Sequence, residues 1–207
     1  MNYLNLSKHI CGLDEAGRGA WAGPLVATAV ILPCSITEVE QLAKTKAKDG
    51  KLLNPTRRIL IYQALKKVKA EIWVEIISAR SINNHGIGWA NKEIFKRLIK
   101  KIEATEFIVD GNLKIQVRGK THCISSVINA DATIPEVILA GIVAKVEKDT
   151  IMKSLHQQFP RYSWCNNMGY GTKTHQEALM KYQMTYYHRS IFVTSGLQKI
   201  MPVSLDI

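Results

Sequence analysis

The stretch "GLDEAGRGAWAG", from Gly12 to Gly23, places two carboxylates directly before an arginine that stands between two glycines. The carboxylates, Asp14 and Glu15, would repel a phosphate in this loop unless a divalent cation lay between them. Successive side chains of a strand point to opposite faces, so these two acids can converge only if the strand ends there and the backbone turns. The stretch therefore suggests a metal-assisted phosphate site, with two solvated acids beside a tight loop as the ordinary alternative.

Two further acids stand at positions that fit the same chemistry. Asp110 ends the apolar segment "FIVDGN", and Asp131 lies in "NADAT" just before a long helical segment. The ordinary alternatives are an Asp-Gly turn for Asp110 and a helix-stabilising carboxylate for Asp131. If the first and fourth predicted strands are neighbours, Asp14 and Asp110 become adjacent, and four acids gather at one edge of the sheet. Because like charges at short range raise one another's pKa, such a cluster in a basic protein predicts a magnesium or manganese site that faces a phosphodiester.

The glycines of the loop, Gly17, Gly19 and Gly23, allow a dinucleotide-binding alternative. That motif needs a strand, the loop, and then a helix whose N-terminus holds the phosphates. Here the loop leads into "LVATAV", whose β-branched residues favour a strand over a helix. The metal-phosphate interpretation therefore fits the sequence better.

The composition of the chain indicates which class of molecule the protein binds. The chain has 207 residues, with 28 Lys and Arg against 17 Asp and Glu, a formal net charge of +11. Such an excess favours a polyanionic partner, a nucleic acid before a membrane surface. No secretory signal and no apolar run of membrane-spanning length are visible, and the four cysteines are scattered, so we expect a cytoplasmic protein with free thiols.

Periodicity predicts an α/β domain with a mixed five-stranded sheet and flanking helices. A helix should begin at Pro55 and present Ile59, Leu60 and Ala64 at helical spacing, and another should cover residues 84–103. A long helix should run from Pro135 to about His156. The five predicted strands are "HICGLD", "LVATAVILP", "EIWVEIISA", "EFIVDGN" and "THCISSVINADAT".

Taken together, "GLDEAGRGAWAGP", "VDGN", the Asp131 segment with "IPEVILAGIVAKVEKD", "GYGTKTH" and "HRSIF" resemble type 2 ribonuclease H, the ribonuclease HII family. The motifs occur in the order of that family and cover residues 10–195. The resemblance implies a ribonuclease H-like fold, with a catalytic domain over residues 1–160 and a small C-terminal loop and helical extension over 161–207. It also implies that the catalytic residues and metal ligands are Asp14, Glu15, Asp110 and Asp131, with two Mn²⁺ or Mg²⁺ ions per site.

The resemblance further implies substrate-binding residues. Backbone groups of Gly17, Arg18 and Gly19 would sense the ribose 2′-hydroxyl, and Tyr170 would stack on the next sugar. A solvated arginine and a packed loop tyrosine are the ordinary alternatives. Phosphates of the backbone are expected on a basic surface that comprises Lys51, Arg57, Arg58, Lys173 and His175.

This sequence departs from the family pattern at three places. It has Asp49-Gly50-Lys51 where Asp-Ser-Lys is frequent, and Asn129-Ala130-Asp131 where Lys-Gly-Asp is frequent. Gly141 stands where a serine is common. Each of the four acids is retained.

The expected function is endonucleolytic hydrolysis on the 5′ side of a ribonucleotide in duplex DNA or in an RNA–DNA hybrid, which leaves 3′-hydroxyl and 5′-phosphate ends. The expected partners are RNA–DNA hybrids and DNA that contains ribonucleotides, and the protein is expected to be a monomer without a membrane partner. Two alternatives stay open at this point. One is a nucleic-acid-binding module without catalysis, and the other is an enzyme that needs several consecutive ribonucleotides.

Overall fold

A five-stranded mixed sheet carries three of the four predicted acidic residues in the computed structural model, which describes residues 9–48, 50–120 and 123–200. Its strands follow the order β3-β2-β1-β4-β5, and this order confirms that the first and fourth strands are neighbours. The strands are β1 (Ile10–Ala16), β2 (Leu25–Ile31), β3 (Glu71–Ile77), β4 (Glu106–Asp110) and β5 (Ile124–Val127).

Strand direction places the acids at one edge. β1 pairs antiparallel with β2 and parallel with β4, and β4 pairs parallel with β5. Parallel neighbours end at the same edge of a sheet, so the C-terminal residues of β1 and β4 lie side by side. All seven residues of β2 are buried, which explains why its sequence does not alternate and is apolar at every position except Thr28.

Helices form the rest of the regular structure. They are α1 (Ile36–Ala43), α2 (Pro55–Lys67), α3 (Ala79–His85), α4 (Ile87–Lys101), α5 (Ala130–Thr133), α6 (Pro135–Gln158), α7 (Trp164–Asn167), α8 (Lys173–Tyr182) and α9 (Ser190–Ile200). Helix α2 begins as expected, with proline in its first turn and Asn54 accepting a hydrogen bond from the Arg57 amide. Short 3₁₀ turns occur at Gly50–Leu52 and Pro160–Tyr162.

Two helix predictions are confirmed in part. The helix expected over residues 84–103 is present as α4, but it begins three residues later, because Gly86, with a φ of +82°, caps α3 and separates the two helices. Of the residues named for α2, Ala64 is buried, whereas Ile59 and Leu60 are 42% and 40% exposed. Ile61 and Leu65 complete the buried face instead. Helix α1 was not predicted, since its sequence is short and rich in polar residues.

The chain forms two compact units. Among the described residues, the first comprises residues 9–16 together with those of Val26–Ile76 and Lys92–Val146. Its core packs apolar side chains of β2, α1 and α2 against the first half of α6, among them Val30, Val39, Ile61, Leu139 and Val143. This core supports the sheet edge that holds the acids.

The second unit comprises Gly17–Leu25, Ile77–Asn91 and, as far as the structure describes the chain, residues 147–200. Its core is aromatic and includes Tyr162 and Trp164, whose rings stack with centroids 5.2 Å apart. The units are discontinuous in sequence, and the division into residues 1–160 and 161–207 stays a prediction.

Two other expectations concern the environment of the chain. Among the described residues, no helix combines the length and the apolar character that a membrane crossing requires. The four cysteines are free thiols, and Cys11 is buried, which raises its pKa to about 12.

Candidate active site

Asp14 and Glu15 lie within β1 and not beyond it. The strand continues to Ala16, so the expectation that it ends at these acids is wrong. Asp14 stands opposite Thr28 of β2, and its Oδ1 accepts a hydrogen bond of 2.7 Å from the Glu15 amide. The carboxylate of Asp14 is thereby turned along the strand towards its neighbour, although the two side chains belong to opposite faces.

Asp110 is the last residue of β4 and lies beside Asp14. The register pairs Leu13 with Val109, so the next residue of each strand is one of the two acids. Gly111 follows with a φ of +99° and donates to the Val127 carbonyl, which ends the strand in a turn. The Asp-Gly turn and the proximity to Asp14 therefore occur together.

Asp131 reaches the same edge from the short helix α5. Its backbone amide donates to Oδ1 of Asp110 over 3.3 Å, which ties the helix to the end of β4. Asn129 precedes the helix in the left-handed conformation, with a φ of +59°. Asparagine tolerates this conformation better than most side chains, so it suits this position.

The four acids are electrostatically coupled. Burial, Glu15, Asp110 and Asp131 all raise the pKa of Asp14 well above its usual value, and the Glu15 amide offsets part of this rise. The predicted acids are therefore brought together in the first unit. Among the described residues, no three His, Cys, Asp or Glu side chains already enclose a point suited to a metal ion. The donors are nevertheless the hard carboxylate oxygens that Mg²⁺ and Mn²⁺ prefer, and a cation would relieve their repulsion, so the residues fit such an ion.

Helix α6 packs directly against the acidic edge. Thr28 donates from its hydroxyl to the Ala140 carbonyl over 2.6 Å, which holds the helix against β2. A Cβ at Gly141 would overlap Oδ2 of Asp14. The departure at Gly141 therefore makes room for the Asp14 carboxylate, a role that the sequence alone did not indicate.

The predicted ribose-sensing loop lies in the second unit. Gly17 is buried with a φ of +92°, and a Cβ there would lie 2.9 Å from Cε of Lys148. Arg18 and Gly19 are exposed. Gly19 has no positive φ and open space around it. The backbone conformation therefore requires glycine at Gly17, whereas Gly19 leaves one side of the loop uncovered.

Tyr170 belongs to the same unit and is 37% exposed. Nζ of Lys148 lies 4.4 Å from the centroid of its ring, within cation–π range. The Tyr170 carbonyl is hydrogen-bonded to Nδ1 of His175 over 2.9 Å. The ring is therefore accessible while its backbone is anchored.

The predicted basic surface is only partly present. Arg57 and Lys173 are exposed, as expected. Arg58 is buried and donates to the carbonyls of Gly50 and Leu53, so it is not a surface contact. His175 is buried as well, whereas the predicted phosphate contact of Lys51 involves a side chain outside the described residues and stays a prediction.

Sequence reasoning did not single out three residues that support these positions, namely Lys148, His188 and Arg189, and it named Gly141 only as a departure from the family pattern. The segment "HRSIF" carried the only signal for His188 and Arg189, and it was used for the resemblance without a role for either residue.

Comparison with known proteins finds similar sequences over nearly the whole chain. A sequence model of the family described as Ribonuclease HII matches residues 11–195. The chain is 35% identical over 189 residues to Ribonuclease HII of Wolbachia pipientis subsp. Culex pipiens (strain wPip), which covers 90% of this chain and 91% of that protein. It is 32% identical over 201 residues to Ribonuclease HII of Helicobacter pylori (strain Shi470), with 96% and 97% covered.

Solved structures support the fold. The ribonuclease H2 of Pyrococcus horikoshii OT3 superimposes with a TM-score of 0.73 at 21% identity and covers 94% of this chain and 99% of that one. Bst-RNase HIII in complex with Mn²⁺ gives a TM-score of 0.68 at 16% identity and covers 93% and 70%. These similarities confirm the ribonuclease H-like fold.

Proposed function

The chain belongs to the ribonuclease HII family and is thus a nuclease of the ribonuclease H class, and from this premise we propose its substrate and chemistry. The enzyme degrades the RNA strand of RNA–DNA hybrids. It also hydrolyses the phosphodiester on the 5′ side of a single ribonucleotide embedded in duplex DNA, and its products carry 3′-hydroxyl and 5′-phosphate ends.

The observation that carries this proposal is the convergence of acids at the edge of the sheet. The negative charges of Glu15, Asp110 and Asp131 all raise the pKa of Asp14. Hydrolysis of a phosphodiester by a nuclease of this class requires several carboxylates at one place, whereas a binding module that is rich in basic residues has no use for them.

Asp14, Glu15, Asp110 and Asp131 would hold two divalent ions. When bound, Mg²⁺ or Mn²⁺ lowers the pKa of an attacking water and stabilises the departing 3′ oxygen. The role of the chain is to fix the carboxylates. The Asp131 amide orients the Asp110 carboxylate, the Glu15 amide orients that of Asp14, and Gly141 leaves space for it.

Recognition of the ribose is assigned to the second unit. The backbone of Gly17, Arg18 and Gly19 would hydrogen-bond the 2′-hydroxyl, since Arg18 and Gly19 are exposed and Gly19 has an open side. A site built to bind a hydroxyl rejects the analogue that lacks it, because its own polar groups are then left unpaired. The exposed ring of Tyr170 would stack on the next sugar, and Arg57, Lys173 and Lys51 would contact phosphates.

The same proposal has the enzyme act as a monomer in the cytoplasm, on hybrids and on DNA that contains ribonucleotides. Its positive charge supplies most of the affinity for these polyanions, and the site supplies the specificity.

The test uses three labelled duplexes: all-DNA, DNA with one ribonucleotide, and an RNA–DNA hybrid. With Mg²⁺ or Mn²⁺ we expect cleavage of the last two, a single cut on the 5′ side of the ribonucleotide, and no cleavage when EDTA is present. Asp110→Asn should abolish cleavage. Glu103→Gln is the matched control, because it removes the same charge from a carboxylate that is 91% exposed.

The result also decides between the alternatives. Binding of all three duplexes without metal-dependent cleavage would mean that the protein is a nucleic-acid-binding module without catalysis. Cleavage of the hybrid but not of the single-ribonucleotide duplex would leave an enzyme that needs consecutive ribonucleotides, and the assignment of Gly17, Arg18, Gly19 and Tyr170 would then be wrong.

A further inference from the structure

Arg189 is a fully buried arginine of the second unit that holds the loop after β1. One terminal nitrogen donates to the carbonyls of Gly17 and Arg18 over 2.7 and 3.0 Å, and Nε donates to that of Gly23 over 3.0 Å. Burial lowers its pKa only to about 10, so it keeps its charge at neutral pH. A planar fork of donors suits three carbonyls from one loop in a way that the single ammonium of lysine does not.

His188, the preceding residue, is connected to Tyr170 by a chain of hydrogen bonds. Its Nδ1 accepts from the Thr185 amide over 2.8 Å, so the proton of the neutral ring lies on Nε2, which faces Nε2 of His175 at 3.1 Å. Nε2 of His175 also accepts from the Trp164 indole over 3.2 Å. Its own proton therefore lies on Nδ1, which donates to the Tyr170 carbonyl over 2.9 Å.

The backbone of this dipeptide is itself fixed on both sides. Asn83 donates from its amide to the His188 carbonyl and accepts from the Ser190 amide, both over 2.9 Å. The Arg189 amide donates to the Trp21 carbonyl over 2.7 Å. These hydrogen bonds restrict the backbone at positions 188 and 189, and they therefore also restrict the positions from which the two side chains extend.

Two segments that were assigned to the ribose and to the next sugar thus depend on adjacent residues. We infer that His188 and Arg189 are positioning residues for ribonucleotide recognition: Arg189 fixes the Gly17–Arg18 backbone and His188, through His175, fixes the Tyr170 segment. This inference rests on the proposed function. The hydrogen bonds of both residues lead to the Gly17 loop and to the Tyr170 segment rather than to a partner charge, and a role confined to stability is the alternative that the test must separate.

Double-mutant cycles with kcat on the single-ribonucleotide duplex at saturating Mg²⁺ test the inference. His188→Gln should lower kcat about tenfold in the wild-type background and less than about twofold in a Tyr170→Ala background, since the positioned ring is already gone. Arg189→Lys should behave in the same way towards Gly17→Ala. In both cases KM should change little, because the basic surface still binds the duplex.

The controls separate positioning from stability. Arg161→Met removes an exposed arginine of the same unit, which stacks over Tyr182, and should leave kcat unchanged. If His188 and Arg189 act only through stability, each substitution lowers the folded fraction, and its loss of kcat would be the same in every background. That result, or an unchanged kcat in the single variants, would overturn the inference.

If His188→Gln fails to fold, the double-mutant cycle of Arg189→Lys decides alone. If the wild type does not cut the single-ribonucleotide duplex, the proposed function fails; if it does and the cycles show no coupling, the inference alone fails.

Discussion

Asp14 combines burial with three acidic neighbours, and both effects raise the pKa of its carboxyl. The ionised form therefore destabilises the folded protein at neutral pH when no cation is bound. Asp14→Asn should abolish cleavage, with kcat at least roughly a thousandfold lower. It should leave duplex binding intact and raise the unfolding temperature in EDTA, by about 2–4 °C for each kcal/mol of repulsion removed. Thermal melts and a binding assay measure both effects.

Glu103→Gln again serves as the control for the Asp14 variant, because it changes the net charge equally at an exposed position. Equal melting temperatures for the Asp14 variant and this control would mean that the acids do not repel one another. Near-normal cleavage by Asp14→Asn at saturating Mg²⁺ would remove Asp14 from the ligand set.

Gly141 gives a second prediction at the scale of one residue. In Gly141→Ala the new Cβ would overlap Oδ2 of Asp14, and the carboxylate is the part that can move. The Mg²⁺ concentration for half-maximal cleavage should rise by roughly ten- to a hundredfold. Stability should change little, because alanine favours the helix by about 0.5–1 kcal/mol and offsets part of the strain.

Gly50→Ala is the matched control for Gly141→Ala. A Cβ at Gly50 would meet Cα of Ile142 at 3.5 Å, an ordinary contact on the same helix. Its Mg²⁺ requirement should stay normal. An unchanged Mg²⁺ requirement in Gly141→Ala would show that Asp14 does not need the space that Gly141 leaves.

Single residues also show where sequence reasoning stops. Four acids could be assigned because each stands at a recognisable position, at the end of a strand or before a helix. Arg58 and His175 were assigned to the surface from their charge alone, and the structure buries both. Their partners are backbone carbonyls and another histidine, contacts that only the fold creates.

At the scale of elements, the sequence predicts strands better than helix boundaries. The five strands follow from apolar runs, and the parallel pairing of β1 with β4 explains why Asp14 and Asp110 meet. The break between α3 and α4 depends on one glycine with positive φ, and the sequence pattern continues across it. The buried face of α2 follows from packing against α6, which local periodicity does not contain.

The histidine pair in the second unit predicts a dependence of stability on pH. Burial and the neighbouring His175 lower the pKa of His188 to about 4, whereas an unfolded histidine has about 6.5. Between these values the unfolded state binds a proton that the folded state does not, so the free energy of unfolding falls as the pH drops from 6.5 to 4. The expected loss is on the order of 3 kcal/mol, and it is complete below pH 4.

Urea unfolding at pH 7.5, 5.5 and 4.5, followed by tryptophan fluorescence, measures this loss. His188→Gln cannot take up the proton and should lose less stability over the same range, while carboxylates contribute equally to both proteins. His175, whose pKa is also lowered by burial, and the Tyr162 ring face His188 and are retained in the variant. Identical pH profiles for the two proteins would contradict a neutral, buried His188.

At the scale of the whole molecule, chemistry and recognition are assigned to different units. The four carboxylates belong to the first unit, and the Gly17 loop and Tyr170 belong to the second. The sequence did not reveal this division, because each unit is assembled from separate segments. The net positive charge is a property of the whole sequence and does not indicate which unit carries which function.

The net charge of +11 predicts that binding depends strongly on salt. Each phosphate that a Lys or Arg neutralises releases counterions, so log affinity should fall linearly with log salt by about 0.9 for each contact. Between 50 and 200 mM salt the affinity for an all-DNA duplex should fall at least about tenfold, even with two contacts. Arg57→Ala should reduce the slope by about one, because Arg57 is exposed and assigned to a phosphate.

Arg58→Met is the matched comparison for Arg57→Ala, since it removes the same charge one residue away. Arg58 is buried and Nη1 of its guanidinium donates to the carbonyls of Gly50 and Leu53, so its side chain does not face the solvent from which DNA would bind. Its loss should lower stability by about 1–3 kcal/mol, because two buried carbonyls lose their donor, and should leave the salt slope unchanged. Equal slopes for both variants would show that total charge, and not the exposed side chains, determines binding. A flat salt response of the wild type would contradict a nucleic-acid substrate altogether and would favour a small phosphate ligand.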